Sequence, residues 1–345
     1  MDNSIVNMLP WFYLAAISII AALLTVRDKN AARKNARRIK ERTLFIVAIL
    51  GGSAAMLLTM LAVRHKTRRA KFMIGISLIL TLQVALAVFA FDARLIVSRY
   101  EIDTDKISGE IKLVLVTDLH SCDYGDGQRQ LLDTIDAERP DAVLMCGDIY
   151  DDSLPSDKAT QFIEGVTAKY PCYYVSGNHE FWSGRADEFK AIFESYGVTV
   201  LAGTSEILEV GGVKIRISGI DDPDTDRYPS RSAPYKEQLE HLSGGANDDV
   251  FTILMSHRPE RIEELLALNP DLVVSGHAHG GQWRLPGLLE NGLLSPDQGL
   301  FPKYTYGEYF FGDKSLIVSR GLAKESTAVV PRVFNRPEIV IVTLN

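Results

Sequence analysis

Cysteine is scarce in this chain, which has three in 345 residues. A sparse, odd set argues against a disulfide scaffold and is typical of free thiols buried in strands. Basic residues are scarce beyond residue 99, where the formal charge is −18. Such an acidic region lacks the clustered Lys and Arg that neutralise a phosphate polymer, so we expect no nucleic-acid partner.

Charged residues are absent from three long apolar segments near the start of the chain, Leu9–Val26, Leu44–Val63 and Phe72–Phe91. Each approaches the roughly 20 residues that a helix needs to cross a bilayer. We therefore predict an all-α membrane domain of about three helices, at 9–26, 44–63 and 72–91, in a multi-pass protein of the cell membrane. A cleaved signal peptide explains the first segment less well, because no basic region precedes it and two more apolar segments follow.

Two basic loops separate these segments, and residues 1–99 carry a formal charge of +11. If all three segments span, the loops lie on opposite faces, and the positive-inside rule cannot hold for both. With the more basic first loop inside, the acidic region would be cytoplasmic. A re-entrant second segment, breaking at Gly51-Gly52-Ser53, would keep both loops inside, and we favour this extracytoplasmic arrangement. The loops also suit an anionic lipid surface, or act only as topology signals.

After residue 100, short apolar runs alternate with helical patterns, which predicts an α/β fold with mixed sheets. Strands with their closing turns are expected near residues 111–118, 141–148, 172–180, 206–210, 213–220, 251–257, 271–277, 315–319 and 338–344. The two runs that flank Gly211-Gly212 predict a β-hairpin.

Five of these apolar strands end in side chains that can bind a metal. They carry Asp118 and His120, Asp148 and Asp151, Asn178 and His179, His257, and His277 and His279. Taken singly, each cluster could be a turn or a helix cap. Together they hold five of the seven histidines at the strand ends where open α/β sheets bind ligands, and turns have no need for imidazole. This pattern indicates a metal site.

Carboxylate, amide and imidazole groups without a thiolate suit manganese, iron or zinc. Seven candidate ligands are too many for one ion, and one carboxylate can bridge. Two cations about 3.5–4 Å apart are therefore expected, an arrangement that activates a shared water and neutralises charge on phosphoryl oxygens. The expected reaction is hydrolysis of a phosphate ester by in-line attack of a metal-bridging hydroxide.

The stretches "TDLH", "GDIYD", "GNHE", "SHRP" and "GHAHGG" resemble, in order and spacing, the five motifs of the calcineurin-like metallophosphoesterases. This resemblance covers about residues 110–345 and implies a four-layer α-β-β-α sandwich of two mixed sheets. It implies one metal held by Asp118, His120, Asp148 and His279, and a second held by Asn178, His257, His277 and the shared Asp148. It also implies that His179 is catalytic, contacting the phosphoryl group or protonating the leaving oxygen, with Asp151 as its orienting partner.

Two further resemblances concern the subgroup and the membrane region. "GHAHGGQWRLPG" and the tail from Val318 resemble a membrane-associated branch with YkuE- and YaeI-like phosphodiesterases and some UDP-2,3-diacylglucosamine pyrophosphohydrolases. The tail arginines Arg320, Arg332 and Arg336 could meet a substrate phosphate, fix the loop or lie at the surface. Residues 1 to about 90 resemble DUF1294, a bacterial membrane domain of unknown function.

These observations predict a membrane domain at 1–95, a linker at 96–109 and a metallophosphoesterase domain at 110–345. The expected function is a membrane-tethered, two-metal phosphodiesterase or pyrophosphohydrolase. Its substrate would be a phosphorylated small molecule or a lipid-linked, UDP-diacylglucosamine-like molecule. The alternative is a non-catalytic membrane sensor that binds a phosphorylated ligand in the metal pocket. The oligomeric state stays open.

Overall fold

The computed structural model describes residues 3–228, 230–243, 249–324 and 331–345, with side chains from residue 11 onward. Residues 325–330 of the tail motif lie outside the described residues. The described residues form two compact units, one within Met1–Asp92 and the other within Ala93–Thr327 and Pro331–Asn345.

The first unit is helical. Its helices are α1 (Asn3–Arg33), α2 (Glu41–Val47), α3 (Ser53–Ala62) and α4 (Ala70–Ala90), with a π-helical segment at Ala48–Gly52. Among the described residues, three stretches of helix are long and apolar enough to cross a membrane, which confirms the three predicted helices: Trp11–Arg33, Glu41–Ala62 and Ala70–Ala90. Large apolar side chains such as Leu78, Leu82 and Val88 are exposed on α4, as expected of a helix that faces lipid.

The second apolar helix is interrupted at Gly51, whose φ of 110° is not helical. Such a break frees carbonyl groups, which must find donors inside a bilayer. The Gln83 side chain of α4 provides them, since its Nε2 donates to Ala48 O at 3.0 Å and to Ile49 O at 2.8 Å. The break predicted at Gly51-Gly52-Ser53 is present as a kink at Gly51, with α2 before it and α3 after it. The side of the membrane on which the second unit lies stays a prediction.

The second unit contains the strands β1 (Ile96–Ile102), β2 (Ile111–Val116), β3 (Ala142–Cys146), β4 (Cys172–Val175), β5 (Thr199–Val200), β6 (Thr204–Val210), β7 (Val213–Gly219), β8 (Phe251–Met255), β9 (Leu272–Ser275), β10 (Leu294–Ser295), β11 (Gly299–Leu300), β12 (Gly307–Phe311), β13 (Lys314–Val318) and β14 (Glu338–Leu344). One six-stranded sheet has the order β1-β14-β2-β3-β4-β5, and the other has the order β12-β13-β9-β8-β7-β6. Both sheets are mixed: β2, β3 and β4 pair in parallel, as do β7, β8 and β9, whereas β14 runs antiparallel to β2 and β12 to β13.

Helices cover the outer faces of the two sheets. They are α5 (Arg129–Glu138), α6 (Asp157–Thr167), α7 (Asn178–Trp182), α8 (Ala186–Ser195), α9 (Tyr235–Ser243) and α10 (Ile262–Leu266). Three apolar cores follow from this layering. Phe162 of α6 packs onto the first sheet, Leu144 and Ile253 meet between the sheets, and Leu265 of α10 packs onto the second sheet. The four-layer α-β-β-α sandwich is confirmed. Cys122, Cys146 and Cys172 are buried and are not joined in disulfides, as predicted.

The predicted hairpin and the predicted linker have different outcomes in the structure. The hairpin is confirmed, since β6 pairs with β7 in a register that closes with Val210 opposite Val213. Gly211 and Gly212 have φ of 57° and 88°, as the tight turn requires. The segment expected to be a linker, 96–109, instead begins with β1, which pairs in parallel with β14 at the edge of the first sheet.

Candidate metal centre

The loops after β2, β3, β8 and β9 bring six of the seven predicted ligands into two groups, and the seventh, Asn178, directly follows the loop after β4. Within each of two groups, atoms that can bind a metal lie within 4.8 Å of one another; the groups are Asp118, His120 and His279, and Asp148, His257 and His277. All six residues are buried, as is Asn178.

The backbone at these loops adopts a conformation that non-glycine residues rarely use. Positive φ angles occur at Asp118 (50°), His120 (47°), Asp148 (52°), His277 (63°) and His279 (46°). Left-handed backbone at a non-glycine residue costs energy, and such strain clusters at functional sites. The bends let consecutive residues after a strand point toward a common centre, which continued strand geometry, with alternating side chains, would not allow.

Five buried ligand atoms have no hydrogen-bond partner among the described residues. They are His120 Nε2, Asp148 Oδ2, Asn178 Oδ1, His257 Nε2 and His277 Nδ1. A buried polar atom without a partner costs about 1–3 kcal/mol, so His120 Nε2, Asn178 Oδ1 and His277 Nδ1 call for a ligand. His257 Nε2 and Asp148 Oδ2 face each other at 3.0 Å as an ion pair. Carboxylate oxygen, amide oxygen and imidazole nitrogen are donors that Mn, Fe and Zn accept. The residues present therefore fit divalent cations.

The opposite ring nitrogens of two of these histidines are held by the protein. His257 Nδ1 donates to the Cys146 carbonyl at 2.9 Å, and His277 Nε2 lies 2.8 Å from Asp297 Oδ2. Such contacts fix the tautomer and direct the other nitrogen toward a metal. Asp297 lies far from the motifs in sequence, so no sequence signal indicated its contribution.

His179 and His120 lie closest to different carboxylates. His179 Nδ1 lies 2.6 Å from Asp152 Oδ1 but 3.7 Å from Asp151 Oδ2. Asp151 Oδ2 instead accepts from His120 Nδ1 at 3.0 Å. Asp151 Oδ1 accepts from the backbone N–H groups of Ser153 and Leu154 at 2.9 Å each. Asp152 therefore lies closer to His179 than Asp151 does, and the orienting role of Asp151 toward His179 stays a prediction. Asp151 is held by its own turn and by His120, and the adjacent Asp152 reaches His179.

Burial and neighbouring charges have opposite effects on the pKa values of Asp148 and His257. Burial acts to lower the pKa of His257, but the charges of Asp148 and Asp118 outweigh it and raise the pKa to about 10. Burial acts to raise the pKa of Asp148, yet His257 and His179 hold it well below its usual value. His257 Nε2 lies 3.0 Å from Asp148 Oδ2. Asp148 is therefore ionised and placed to bind positive charge.

Glu180 accepts hydrogen bonds from the loops after β3 and β4. It was not assigned a role from the sequence. Its fully buried carboxylate accepts from the backbone N–H groups of Asp148 (3.0 Å), Ile149 (2.8 Å), Tyr150 (3.0 Å) and Gly177 (2.8 Å). Burial and the charge of Asp148 raise the pKa of Glu180 to about 7. One side chain thereby joins the loop after β3 to the loop after β4. The Glu of "GNHE" was the available signal.

A glycine allows the closest approach between those two loops. A Cβ at Gly177 would lie 2.2 Å from Asp148 Oδ1, closer than non-bonded atoms approach. Any larger residue would displace the carboxylate that is expected to be shared.

The three tail arginines have different surroundings. Arg336 Nε donates to the Arg94 carbonyl at 2.8 Å, a loop-fixing contact. Arg332 Nη2 lies 3.3 Å from His279 Nδ1, beside the metal centre. Arg320 Nε lies 3.5 Å from Glu338 Oε2.

Comparison with known families gives two matches in this chain. Residues 111–281 match the model of the calcineurin-like phosphoesterases. Residues 18–72 match DUF1294, a family of proteins of unknown function.

Curated relatives carry the same kind of description. The chain is 29% identical to the uncharacterized metallophosphoesterase YkuE of Bacillus subtilis, over 68% of this chain and 78% of YkuE. It is 28% identical to an uncharacterized metallophosphoesterase of Aquifex aeolicus, over 72% of this chain and 91% of that protein. Among solved structures, it is similar to the NAD nucleotidase of Haemophilus influenzae, with 18% identity and a TM-score of 0.45 over 63% of this chain and 46% of that one.

Proposed function

We propose that this chain, a metal-dependent phosphoester hydrolase whose residues 111–281 match the calcineurin-like phosphoesterases, is tethered to a membrane and cleaves a phosphodiester or a pyrophosphate. The convergence of buried ligand atoms from five separate loops carries this proposal. A binding protein would not need the non-ligand histidine beside them, and His179 occupies that position.

The two groups of residues suit two cations. Asp118, His120 and His279 would hold the first, and Asn178, His257 and His277 the second, with Asp148 shared. When bound, the cations would acidify a water and stabilise negative charge on phosphoryl oxygens. The chain's own part is to hold these side chains in place through Asp151, Asp297 and the Cys146 carbonyl.

His179 is suited to proton transfer. Asp152 holds its Nδ1, so that Nε2 is available to the substrate. Burial acts to lower the pKa of His179, but Asp148 and Asp152 outweigh it and raise the pKa above its usual value. A protonated imidazole near neutral pH can give its proton to the leaving oxygen.

Attachment to a membrane favours one class of substrate. Three helices suited to spanning precede the phosphoesterase unit, so the unit works close to a lipid surface. A lipid-linked phosphodiester or pyrophosphate, such as a UDP-diacylglucosamine-like molecule, is the substrate class that this location favours.

Activity can be tested with the full chain in detergent. The protein is stripped of metal and assayed on a chromogenic diester and a monoester after Mn²⁺, Zn²⁺ or Fe²⁺ is restored. We expect metal-dependent turnover that is lost in Asp148→Asn. Turnover without metal, or a fully active Asp148→Asn variant, would contradict the mechanism.

The lipid preference needs a separate comparison. Detergent-dispersed lipid pyrophosphates and small soluble pyrophosphate diesters are offered to the same preparation, and kcat/KM is measured for each. Efficient cleavage of the soluble diesters with no cleavage of the lipids would rule out the lipid substrate.

A further inference from the structure

Three arginines form a row that ends at the metal centre: Arg284, Arg320 and Arg332, here called the arginine row. The guanidinium carbons of Arg284 and Arg320 lie 3.7 and 4.6 Å from the ring centroid of Tyr306. Arg332 Nη2 donates to the Arg320 carbonyl at 2.7 Å and lies 3.3 Å from His279 Nδ1. The Arg332 guanidinium therefore lies beside His279, a residue that we assign to the first metal.

Arg332 differs from the other two arginines in its partners. Arg284 pairs with Glu290 at 3.2 Å, and Arg320 with Glu338 at 3.5 Å. Within the described ranges, Arg332 has no carboxylate partner, and its buried Nη1 has no hydrogen-bond partner. Arg332 is half-buried, and a guanidinium that is partly removed from water without a paired anion is costly.

Metal binding at His279 would leave Arg332 with still fewer acceptors. His279 Nε2, 3.7 Å from Asp118 Oδ1, is the nitrogen that faces the other ligands. If Nε2 binds the metal, Nδ1 of a neutral ring carries the proton and becomes a donor. The second hydrogen of Arg332 Nη2, which is not directed at the Arg320 carbonyl, then faces another N–H group, and both hydrogens need an acceptor.

We propose that Arg332 binds a second phosphoryl group of the substrate, so that the enzyme prefers substrates with a P–O–P linkage to those with a single phosphate. One phosphoryl group would lie at the metals, and the next would accept hydrogen bonds from Arg332. The flat guanidinium fork matches phosphate oxygens, and two charges of opposite sign replace the unpaired charge. This inference rests on the proposed function, since it assigns a substrate class to the same site.

Equilibrium binding tests the proposal independently of turnover. The full chain in detergent is loaded with Mn²⁺ and carries His179→Asn, so that bound ligand is not consumed. The ligands are ADP-ribose, with two phosphoryl groups, and AMP, with one. Arg332→Gln removes the charge, Arg332→Lys keeps the charge without the fork, and Arg336→Gln is the matched control in the same tail. Metal content and thermal unfolding are recorded for each protein.

We expect Arg332→Gln to weaken ADP-ribose binding by about tenfold or more, the loss typical of a charge-assisted hydrogen bond, and AMP binding by less than about twofold. Arg332→Lys should lie between Arg332→Gln and the parent, and Arg336→Gln should match the parent. Equal weakening of both ligands, unchanged ADP-ribose binding, or a loss of metal in Arg332→Gln would overturn the proposal.

Failure of the proposed function gives a different result. If the protein with His179 intact hydrolyses neither a diester nor ADP-ribose with any metal, the hydrolase mechanism fails. A selective effect of Arg332→Gln on ADP-ribose binding would then still support the second phosphoryl site.

Discussion

His179 and Asp152 are joined side chain to side chain, Nδ1 to Oδ1 at 2.6 Å, whereas the neighbouring Asp151 is joined to His120. The consecutive residues Asp151 and Asp152 thus contact two histidines to which we assign different roles. Asp152 orients the histidine that we assign to proton transfer, and Asp151 orients a histidine that we assign to the metal.

These roles can be separated by single substitutions. Asp152→Asn should lower kcat by about tenfold or more with metal content unchanged, because an oriented general acid typically contributes 10²–10⁴-fold. Asp151→Asn should weaken metal binding about 10–100-fold, as expected when the partner of a ligating histidine is lost. Steady-state kinetics and metal analysis of both variants provide the measurement. Normal metal binding in Asp151→Asn together with normal kcat in Asp152→Asn would show that both assignments are incorrect.

Glu180 is predicted to be a main structural support of the site. Glu180→Ala leaves backbone N–H groups of both loops buried without acceptors, and each lost partner costs about 1–3 kcal/mol. We expect the free energy of unfolding to fall by at least about 3 kcal/mol, measured by denaturant unfolding. Glu188→Ala on the exposed surface of α8, where the carboxylate pairs with Arg185, is the matched control and should change little. Similar stability of both variants is the result that would refute this role.

Metal affinity should depend on pH because a proton must leave His257. Its pKa is about 10 in the structure, against the usual 6.5, since Asp148 outweighs burial. Below that pKa the imidazole is protonated, and a metal can bind only after the proton departs. The association constant for Mn²⁺ should therefore rise by about tenfold per pH unit between about pH 6 and 8, followed by titration calorimetry. A pH-independent constant would mean that His257 is already neutral.

The kink in the second membrane helix should depend on Gln83. Gln83→Leu removes the donors to the Ala48 and Ile49 carbonyls and should lower stability in detergent by about 1–2 kcal/mol, the range found for hydrogen bonds between membrane helices. Thermal unfolding of the full chain measures the change. Val84→Leu, at a neighbouring exposed position on α4, serves as the control. The kink does not rely on Gln83 if both variants unfold at the same temperature.

Most of the fold was predictable because its strands are buried and short. The run Ala142–Cys146 is apolar on both faces, as a central parallel strand must be, and helices with one apolar face separate such runs. β1 was missed for the opposite reason. Its residues alternate between half-buried and exposed at a sheet edge, and its partner β14 lies about 240 residues later, so nothing local marks the pairing.

The sequence predicted the candidate metal ligands, but it did not predict the residues that contact those ligands. Asp118, Asn178 and His277 are polar residues placed directly after buried strands, where a local pattern identifies them. Asp297 contacts His277 from a loop 20 residues away, and only the folded chain brings the two together. The same holds for Arg332, which meets His279 across 53 residues.

The amino-acid order alone determined which strands would be buried, which histidines would stand at their ends and which helices could cross a bilayer. These properties depend on the hydrophobicity and spacing of neighbouring residues. Tertiary structure decided which carboxylate serves which histidine, and where an arginine would be left without an anion. The strength of a hydrogen bond or an ion pair changes when the distance between its atoms changes by a few tenths of an ångström. These atoms are remote in sequence, and only packing sets the distance between them.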